Sequence, residues 1–327
     1  MSATELLALL QAAGEGWVSG EEISRQLGVS RTAIWKQIEA LRALGYAVEA
    51  APRRGYRLTA RPDAVTPDEV APGLTTRRFG RPIEYRESAG STNEIAKQMA
   101  RAGAPEGLLV IADEQTAGKG RLGRSWATPR GSALAMSLLL RPDLPPYHAP
   151  RITLAAAVAV CEAVREVTGL PAAIKWPNDL QIAGRKFCGI LTEMEAELDR
   201  VAFVVLGIGL NVHLKREELD PSFRESATSL AIEGAAGVRR AALVQAILAR
   251  LEPVYHDLTE GRFDRVLDRW RALSATLGQP VRVLDLSGET RLEGVAEAVD
   301  EEGALLVRAG SGELHRVVSG EVSVRPR

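Results

Sequence analysis

Two short stretches carry most of the chemistry in this 327-residue chain. Gln115-Thr-Ala-Gly-Lys-Gly-Arg-Leu-Gly-Arg-Ser-Trp126 sets three glycines, three basic residues and one tryptophan in twelve positions, with almost no hydrophobic period. Glycines let a backbone fold tightly and turn its N–H groups toward a ligand. Lys119, Arg121 and Arg124 add the charge that a polyphosphate or carboxylate needs. The stretch reads as a loop closing over an anionic, nucleotide-bearing intermediate. Lys175-Trp-Pro-Asn-Asp-Leu180 offers a cation, an amide and a carboxylate beside a proline, which removes backbone freedom at a strand end. It reads either as a fixed site or as a hairpin with a stable polar turn.

The loop contains Gly118-x-Gly120-x-x-Gly123, the spacing of a dinucleotide fingerprint. Its context excludes that reading. A Rossmann turn follows its strand at once and opens an apolar helix, whereas polar Glu114 to Ala117 intervene here and Arg124-Ser-Trp-Ala-Thr-Pro129 follows. The Gly-Lys-Ser/Thr ending of a P-loop is also missing.

Strands and helices must present these stretches. Leu108 to Asp113 reads as a buried strand delivering the glycine loop. Ser132 to Leu140 is the next strand, and Arg151 to Thr168 an alanine-rich helix. Ala172 to Ile182 gives two strands around the Pro177-Asn-Asp break, then Gly184 to Leu191 a turn and strand with Lys186 at its mouth. Val201 to Val212 is an apolar strand whose Gly207 and Gly209 indicate either something pressed against the backbone or a bulge. Ser91-Thr-Asn-Glu94 opens a helix, either as an ordinary cap or with its hydroxyls and amides turned to a ligand.

The flanks are of a different kind. Helices over 4–12, 20–27 and 31–44, the last two capped by Ser19 and Ser30, form a helix-turn-helix. Two short strands around Pro52-Arg-Arg follow as a wing. Residues 31–57 hold six basic residues against two acidic ones, although the whole chain carries a formal charge of −1. Arg31, Thr32, Lys36 and Gln37 lie off the apolar stripe where groove contacts are made, and Arg53 and Arg54 sit at the wing tip for phosphates. These six residues are the candidate DNA contacts. Trp35 reads either as packing under the wing, the plainer role, or as a base contact. Alternating runs from Gly278 onward predict a small antiparallel barrel, after amphipathic helices over 237–259 and 262–273.

Composition narrows the class. Charged residues at 25% and hydrophobic ones at 46% suit a soluble globular protein. The longest apolar run, Ile152 to Cys161, is too short for a bilayer. Met1 to Leu6 lacks a secretory pattern, so the cytoplasm is the expected location and no membrane partner is expected. Two cysteines and four scattered histidines give neither a disulfide framework nor a zinc site.

In combination, Gly118-Lys-Gly-Arg-Leu-Gly-Arg-Ser-Trp126, Lys175-Trp-Pro-Asn-Asp-Leu180, Lys186-Phe-Cys-Gly-Ile-Leu191, Gly207-Ile-Gly-Leu-Asn211 and the final Ser319-Gly-Glu-Val-Ser-Val-Arg325 resemble the bifunctional biotin protein ligases that double as biotin operon repressors. The likeness covers essentially the whole chain. It implies an α/β (α+β) chain: a winged helix-turn-helix over 1–60, a linker over 61–80, a mixed-sheet, class II synthetase-like catalytic domain over 81–276, and an SH3-like β-barrel over 277–327. The implied reaction joins biotin to ATP as biotinyl-adenylate, then passes biotin to a lysine of a biotin carboxyl carrier protein. By motif, Ser91, Thr92, Asn93, Gln115, Gly118, Lys119, Arg121, Lys186 and Gly189 face biotin. Arg121, Arg124, Trp126, Lys175, Asn178 and Asn211 hold the adenylate. Arg121, Lys175, Asp179 and Lys186 carry the catalysis, with Asp179 either binding Mg²⁺ or taking the acceptor lysine's proton. Operator DNA and a ligand-promoted homodimer are the further implied partners. A lipoate or octanoate ligase shares the catalytic fold, and a non-catalytic ligand-sensing transcription factor is the other competing class.

One position departs from the resemblance. Fuller versions of the loop carry a basic residue where Leu122 stands, and Lys119 replaces an arginine, which costs the loop a charge and a bidentate donor. Leu122→Arg is therefore expected to slow the release of biotinyl-adenylate. A dissociation rate no slower than the parent's contradicts this.

Overall fold

In the computed structural model, which describes residues 3–197, 200–285, 287–318 and 323–326, the chain divides into two units, Met1–Pro72 and Gly73–Arg327. The first begins with α1 (Ala3–Ala12), α2 (Gly20–Leu27) and α3 (Arg31–Ala43). Ser19 accepts from the Glu22 N–H at 3.1 Å and Ser30 from the Ala33 N–H at 3.3 Å, so both predicted caps satisfy an otherwise orphaned donor. Ile34, Ile38 and Leu41 of α3 meet Leu6, Leu10 and Ile23 in one buried cluster. Burying each such side chain is worth about 1.5–3 kcal/mol.

The wing is β1 (Ala47–Ala51) paired antiparallel with β2 (Gly55–Ala60), with Arg53 in the turn. Arg54 and Arg57 lie over the Trp17 ring at 4.5 and 4.8 Å from its centroid, a support for the wing that sequence reasoning missed. Trp35 corrects an expectation. It is 56% exposed rather than packed under the wing. It follows Arg31 by one helical turn and so shares their solvent face with Thr32 and Lys36, while the core is filled by the aliphatic stripe.

Within the linker, residues 61–72 carry α4 (Pro67–Val70), the one helical turn that Pro67-Asp-Glu-Val allows, and its Glu69 is fully buried. The Tyr46 hydroxyl donates to that carboxylate at 2.7 Å, Gln11 at 3.2 Å, and Arg61 pairs with it at 2.9 Å. Burial and the Glu69 carboxylate together push the Tyr46 phenol upward. An otherwise costly buried charge thus ties the segment to the helical unit.

The second unit is organised on a seven-stranded mixed sheet of order β3-β4-β5-β9-β8-β7-β6. The strands are β3 (Ile83–Arg86), β4 (Leu109–Ala112), β5 (Ala133–Leu140), β6 (Ala173–Lys175), β7 (Asp179–Ile182), β8 (Arg185–Glu197) and β9 (Arg200–Asn211). Only β3 and β4 run parallel. Side chains alternate across this sheet. Odd-numbered Phe203 and Val205 pack with Ala96 and Ala100 of α5 (Thr92–Arg101). On the other face Thr192 meets Thr153 of α6 (Ala149–Thr168) at 2.8 Å. Helices α7 (Arg240–Thr259) and α8 (Phe263–Leu273) pack on α6. The odd face, with α5, is where the site lies.

Beyond them β10 (Pro280–Leu284), β11 (Thr290–Val299), β12 (Leu305–Ala309), β13 (Leu314–Val317) and β14 (Ser323–Pro326) form an antiparallel sheet of order β13-β12-β11-β10-β14. The expected barrel is therefore an open ladder here: β13 and β14 are not paired with each other among the described residues. Residues 319–322 of the final motif lie outside the described residues. The sheet serves the site directly. The Trp176 indole is buried and donates to the Gly303 carbonyl at 3.1 Å, which pins the strand carrying Lys175.

Candidate active site

The floor of the site is made by missing side chains. On the odd face of the sheet, Gly189 of β8 pairs across with Gly209 of β9, which pairs with Ala135 of β5. The next row is Leu191, Gly207 and Ser137. A Cβ on Gly207 would lie 2.3 Å from Asn93 Oδ1, and one on Gly209 would lie 2.5 Å from Trp126 Nε1. Both distances are impossible for real atoms. The register continues unbroken through Gly207 and Gly209, so close approach, not a bulge, explains them.

Around this floor lies a cleft of 700 Å³, within the range of small-molecule sites. Ser91, Thr92, Asn93, Gln115, Lys119, Arg121, Arg124, Trp126, Lys175, Asn178, Asp179, Lys186, Gly189 and Asn211 all line it. Gly118 does not. It is buried beneath the loop, where a Cβ would stand 2.3 Å from the Trp126 carbonyl oxygen. Its role is to let the loop cross itself.

One end of the cleft is polar and neutral. Ser91 heads α5 without a side-chain cap to the helix. The Thr92 N–H donates instead to Gln115 Oε1 at 2.8 Å and the Thr92 hydroxyl to the same atom at 3.0 Å. The hydroxyl-rich helix start is thus turned to the cleft, the second of the two readings its sequence allows. Ser137, fully buried, lies 2.7 Å from Thr92 Oγ1 and 2.6 Å from Asn93 Oδ1.

The other end is cationic. Arg121 Nη1 donates to Asn178 Oδ1 at 3.1 Å, and Asn178 Nδ2 donates to the Ile190 carbonyl at 2.8 Å. Burial lowers the Arg121 pKa, with Arg124 adding to the shift and Asp179 opposing it. A guanidinium stays charged through such a shift. Lys186 Nζ pairs with Asp179 at 2.5 Å and stands 5.2 Å from the centroid of the Trp126 ring. The Trp126 indole N–H is buried and has no hydrogen-bond partner among the described residues. Trp126 lines the cleft with this nitrogen against Gly209, and an orphaned buried donor calls for an explanation. Asn211 is held through its Nδ2 by the Thr228 carbonyl at 3.0 Å.

The glycine loop is latched from outside. Trp126 N donates to the Gly118 carbonyl at 2.9 Å and Gly120 N to that of Arg124 at 2.7 Å, around a 3₁₀ turn at Arg121–Gly123. Leu122 has φ 57° in that turn and is exposed. Lys119 reaches Glu94 of α5 at 2.8 Å, and Lys97 reaches the same carboxylate at 2.9 Å. These two ammoniums hold the Glu94 carboxyl down at about 2. A depressed carboxylate contributes its stability in full above its ordinary 4.5 and loses it as the pH falls toward about 2. The latch therefore persists at neutral pH, and being exposed it contributes under about 1 kcal/mol.

Sequence reasoning missed a further wall, formed by Leu214, Glu218, Leu219, Asp220, Phe223 and Ser226. Its signal was two apolar residues, Leu219 and Phe223, in an otherwise polar stretch. In the first unit Arg31, Thr32, Lys36 and Arg53 are exposed and Gln37 is half-buried.

Family models agree with this geometry. The Biotin/lipoate A/B protein ligase family model matches residues 85–211, an HTH domain model 3–57, and the Biotin protein ligase C terminal domain model 276–325. The Bifunctional ligase/repressor BirA of Bacillus subtilis (strain 168) is 40% identical over 98% of this chain and 98% of its own. The chain belongs to the bifunctional biotin protein ligase family. The Escherichia coli (strain K12) BirA is 30% identical over 98% of this chain and 96% of its own. Among solved structures, the biotin protein ligase from Aquifex aeolicus in complex with biotin and ATP is similar with a TM-score of 0.65 and 27% identity, covering 76% of this chain and 100% of that one. For this member of the family Gly209→Ala is expected to expel the Trp126 ring and lower nucleotide affinity at least tenfold, about 1.4 kcal/mol. Isothermal titration with a non-hydrolysable ATP analogue in the presence of biotin checks it.

Proposed function

We infer that the chain is an ATP-dependent biotin protein ligase that also acts as a biotin-responsive repressor. The observation carrying this is one cleft in which the neutral Ser91, Thr92, Asn93 and Gln115 end is continuous with the cationic Arg121, Lys175 and Lys186 end. Biotin is a neutral bicyclic head on a carboxylate tail. Its head fits the first end and its tail reaches the second.

In the first step a biotin carboxylate oxygen attacks the α-phosphorus of ATP, the bond to the β-phosphate breaks, and pyrophosphate leaves. Two anions must be brought together, so fixed cations that persist into the transition state lower the barrier. Arg121, oriented by Asn178, and Lys186, oriented by Asp179, serve that purpose. In the second step the ε-amine of a carrier-protein lysine attacks the acyl carbon and AMP leaves with its phosphate oxygen. Asp179 is the carboxylate we assign to accept the amine's proton.

The residues do not form a resident Mg²⁺ site. Among the described residues no three metal-capable side chains cluster, and Asp179 is already paired with Lys186. We assign any Mg²⁺ to the incoming nucleotide. The lipoate reading is disfavoured because a lipoyl head has no urea to meet the amide and hydroxyl groups at the neutral end. A sensor without enzymatic activity would not need the fixed cations.

We assign DNA binding to the winged helix-turn-helix, with Arg31, Thr32, Lys36, Gln37, Arg53 and Arg54 as its contacts. We assign the catalytic domain to residues 81–276 and the C-terminal domain to 277–327. The proposed setting is the cytoplasm, and no described helix is long and apolar enough to cross a membrane. A homodimer promoted by biotinyl-adenylate would make the intermediate a corepressor by linkage.

Release of pyrophosphate on mixing biotin and ATP, and transfer of labelled biotin to a carrier domain, are the expected outcomes for the enzyme. Arg121→Ala should slow adenylation by on the order of 10². Absence of both products overturns the ligase reading. Biotin with ATP should tighten binding to an operator with two half-sites, measured by fluorescence anisotropy, and unchanged affinity overturns the repressor reading.

A further inference from the structure

Glu193 lies beyond the lining of the cleft yet touches its wall. The Asn93 amide has both N–H groups directed at oxygens that only accept: the Glu193 carboxylate at 2.7 Å and the Leu191 carbonyl at 3.4 Å. Its Oδ1 faces the Ser137 hydroxyl at 2.6 Å and the backbone at Gly207. An amide carbonyl has two lone pairs, one of which Ser137 can occupy, and Asn93 and Gly207 both line the cleft. Lys97 balances the Glu193 charge at 3.0 Å. Glu193 itself sits on β8 two residues beyond Leu191, on the same face as Gly189.

We propose that Glu193 is a positioning residue for the biotin subsite, its carboxylate fixing the Asn93 amide so that an acceptor, and never a donor, faces the ligand. This rests on the ligase reading above. A urea offers two N–H donors, and an acceptor fixed in advance meets one of them without reordering. A glutamine at 193 can donate as well as accept, so the amide is free to turn over and present N–H to N–H. A ligand with a urea or a similar N–H donor is therefore what the arrangement selects.

The test is biotin titration calorimetry on the full chain and on Asn93→Ala, Glu193→Gln and the double variant, with thermal unfolding as a check on the fold. Glu193→Gln is expected to weaken biotin about tenfold, the worth of a hydrogen bond to a charged group, while KM for ATP stays unchanged. Glu193→Asp, which keeps an acceptor-only side chain, should recover part of that loss. In the Asn93→Ala background Glu193→Gln should have no further effect. Unchanged affinity in Glu193→Gln, or the same tenfold loss in the double variant over Asn93→Ala, overturns the proposal. Asn93→Ala binding biotin as the parent does also overturns it. A parent chain that binds no biotin at all instead overturns the ligase reading, so the two failures are distinguishable.

Discussion

Three absent Cβ atoms, at Gly189, Gly207 and Gly209, set the terms for everything else in the catalytic unit. They leave a smooth strip across two paired strands, onto which Asn93 presses at Gly207 and Trp126 at Gly209 so closely that a side chain at either would displace them, while one at Gly189 would crowd Lys186 and Trp126. The strip costs strand stability, because glycine packs poorly and loses more backbone freedom on ordering than other residues. Neighbouring positions offset that cost: Ile190, Ile208, Leu206 and Leu210 on the opposite face are almost wholly buried. One face of the sheet holds the fold together, and the other is kept free of side chains so that Asn93 and Trp126 can lie against it in the cleft.

What surrounds the strip is positioned by rigid elements at one end and by a loop at the other. The neutral end belongs to a helix start and to strand residues: the Thr92 N–H donates to Gln115, and the Ser137 hydroxyl stands within hydrogen-bond distance of both Thr92 and Asn93. The cationic end mixes the two. Asn178 is stitched to β8 and holds Arg121, whereas Lys119 reaches outward to an exposed carboxylate. Fixed dipoles suit recognition of a neutral head. Cations borne by a loop suit an anion that must enter, react and leave.

The chemistry of the site could be read in the sequence because it is written in residue types that a core does not use. Glycines beside basic residues, and Lys175, Asn178 and Asp179 around a proline, have few structural uses in that density. The wing and its helices were readable for a different reason, since caps and aliphatic spacing act locally. What escaped depends on distant parts of the chain meeting. Ser137 looks like any strand serine until Asn93 and Thr92 stand against it, and Leu219 and Phe223 have no periodicity that announces a pocket wall. Trp35 is exposed instead of packing under the wing, because the aliphatic stripe of its helix already fills the core. Glu69 ties the expected linker into a folded unit by binding Gln11 and Tyr46, far from it in sequence, along with Arg61 of its own segment.

The central claim is that one surface, the glycine strip with its loop, receives both biotin and ATP. Amide hydrogen exchange on the protein saturated with biotin and ATP tests this most directly. The account predicts slowed exchange over residues 115–126 and at the amides around Gly189, Gly207 and Gly209, with the C-terminal ladder unchanged. Protection that leaves both the loop and the strip unaltered, and falls elsewhere in the chain, would contradict it.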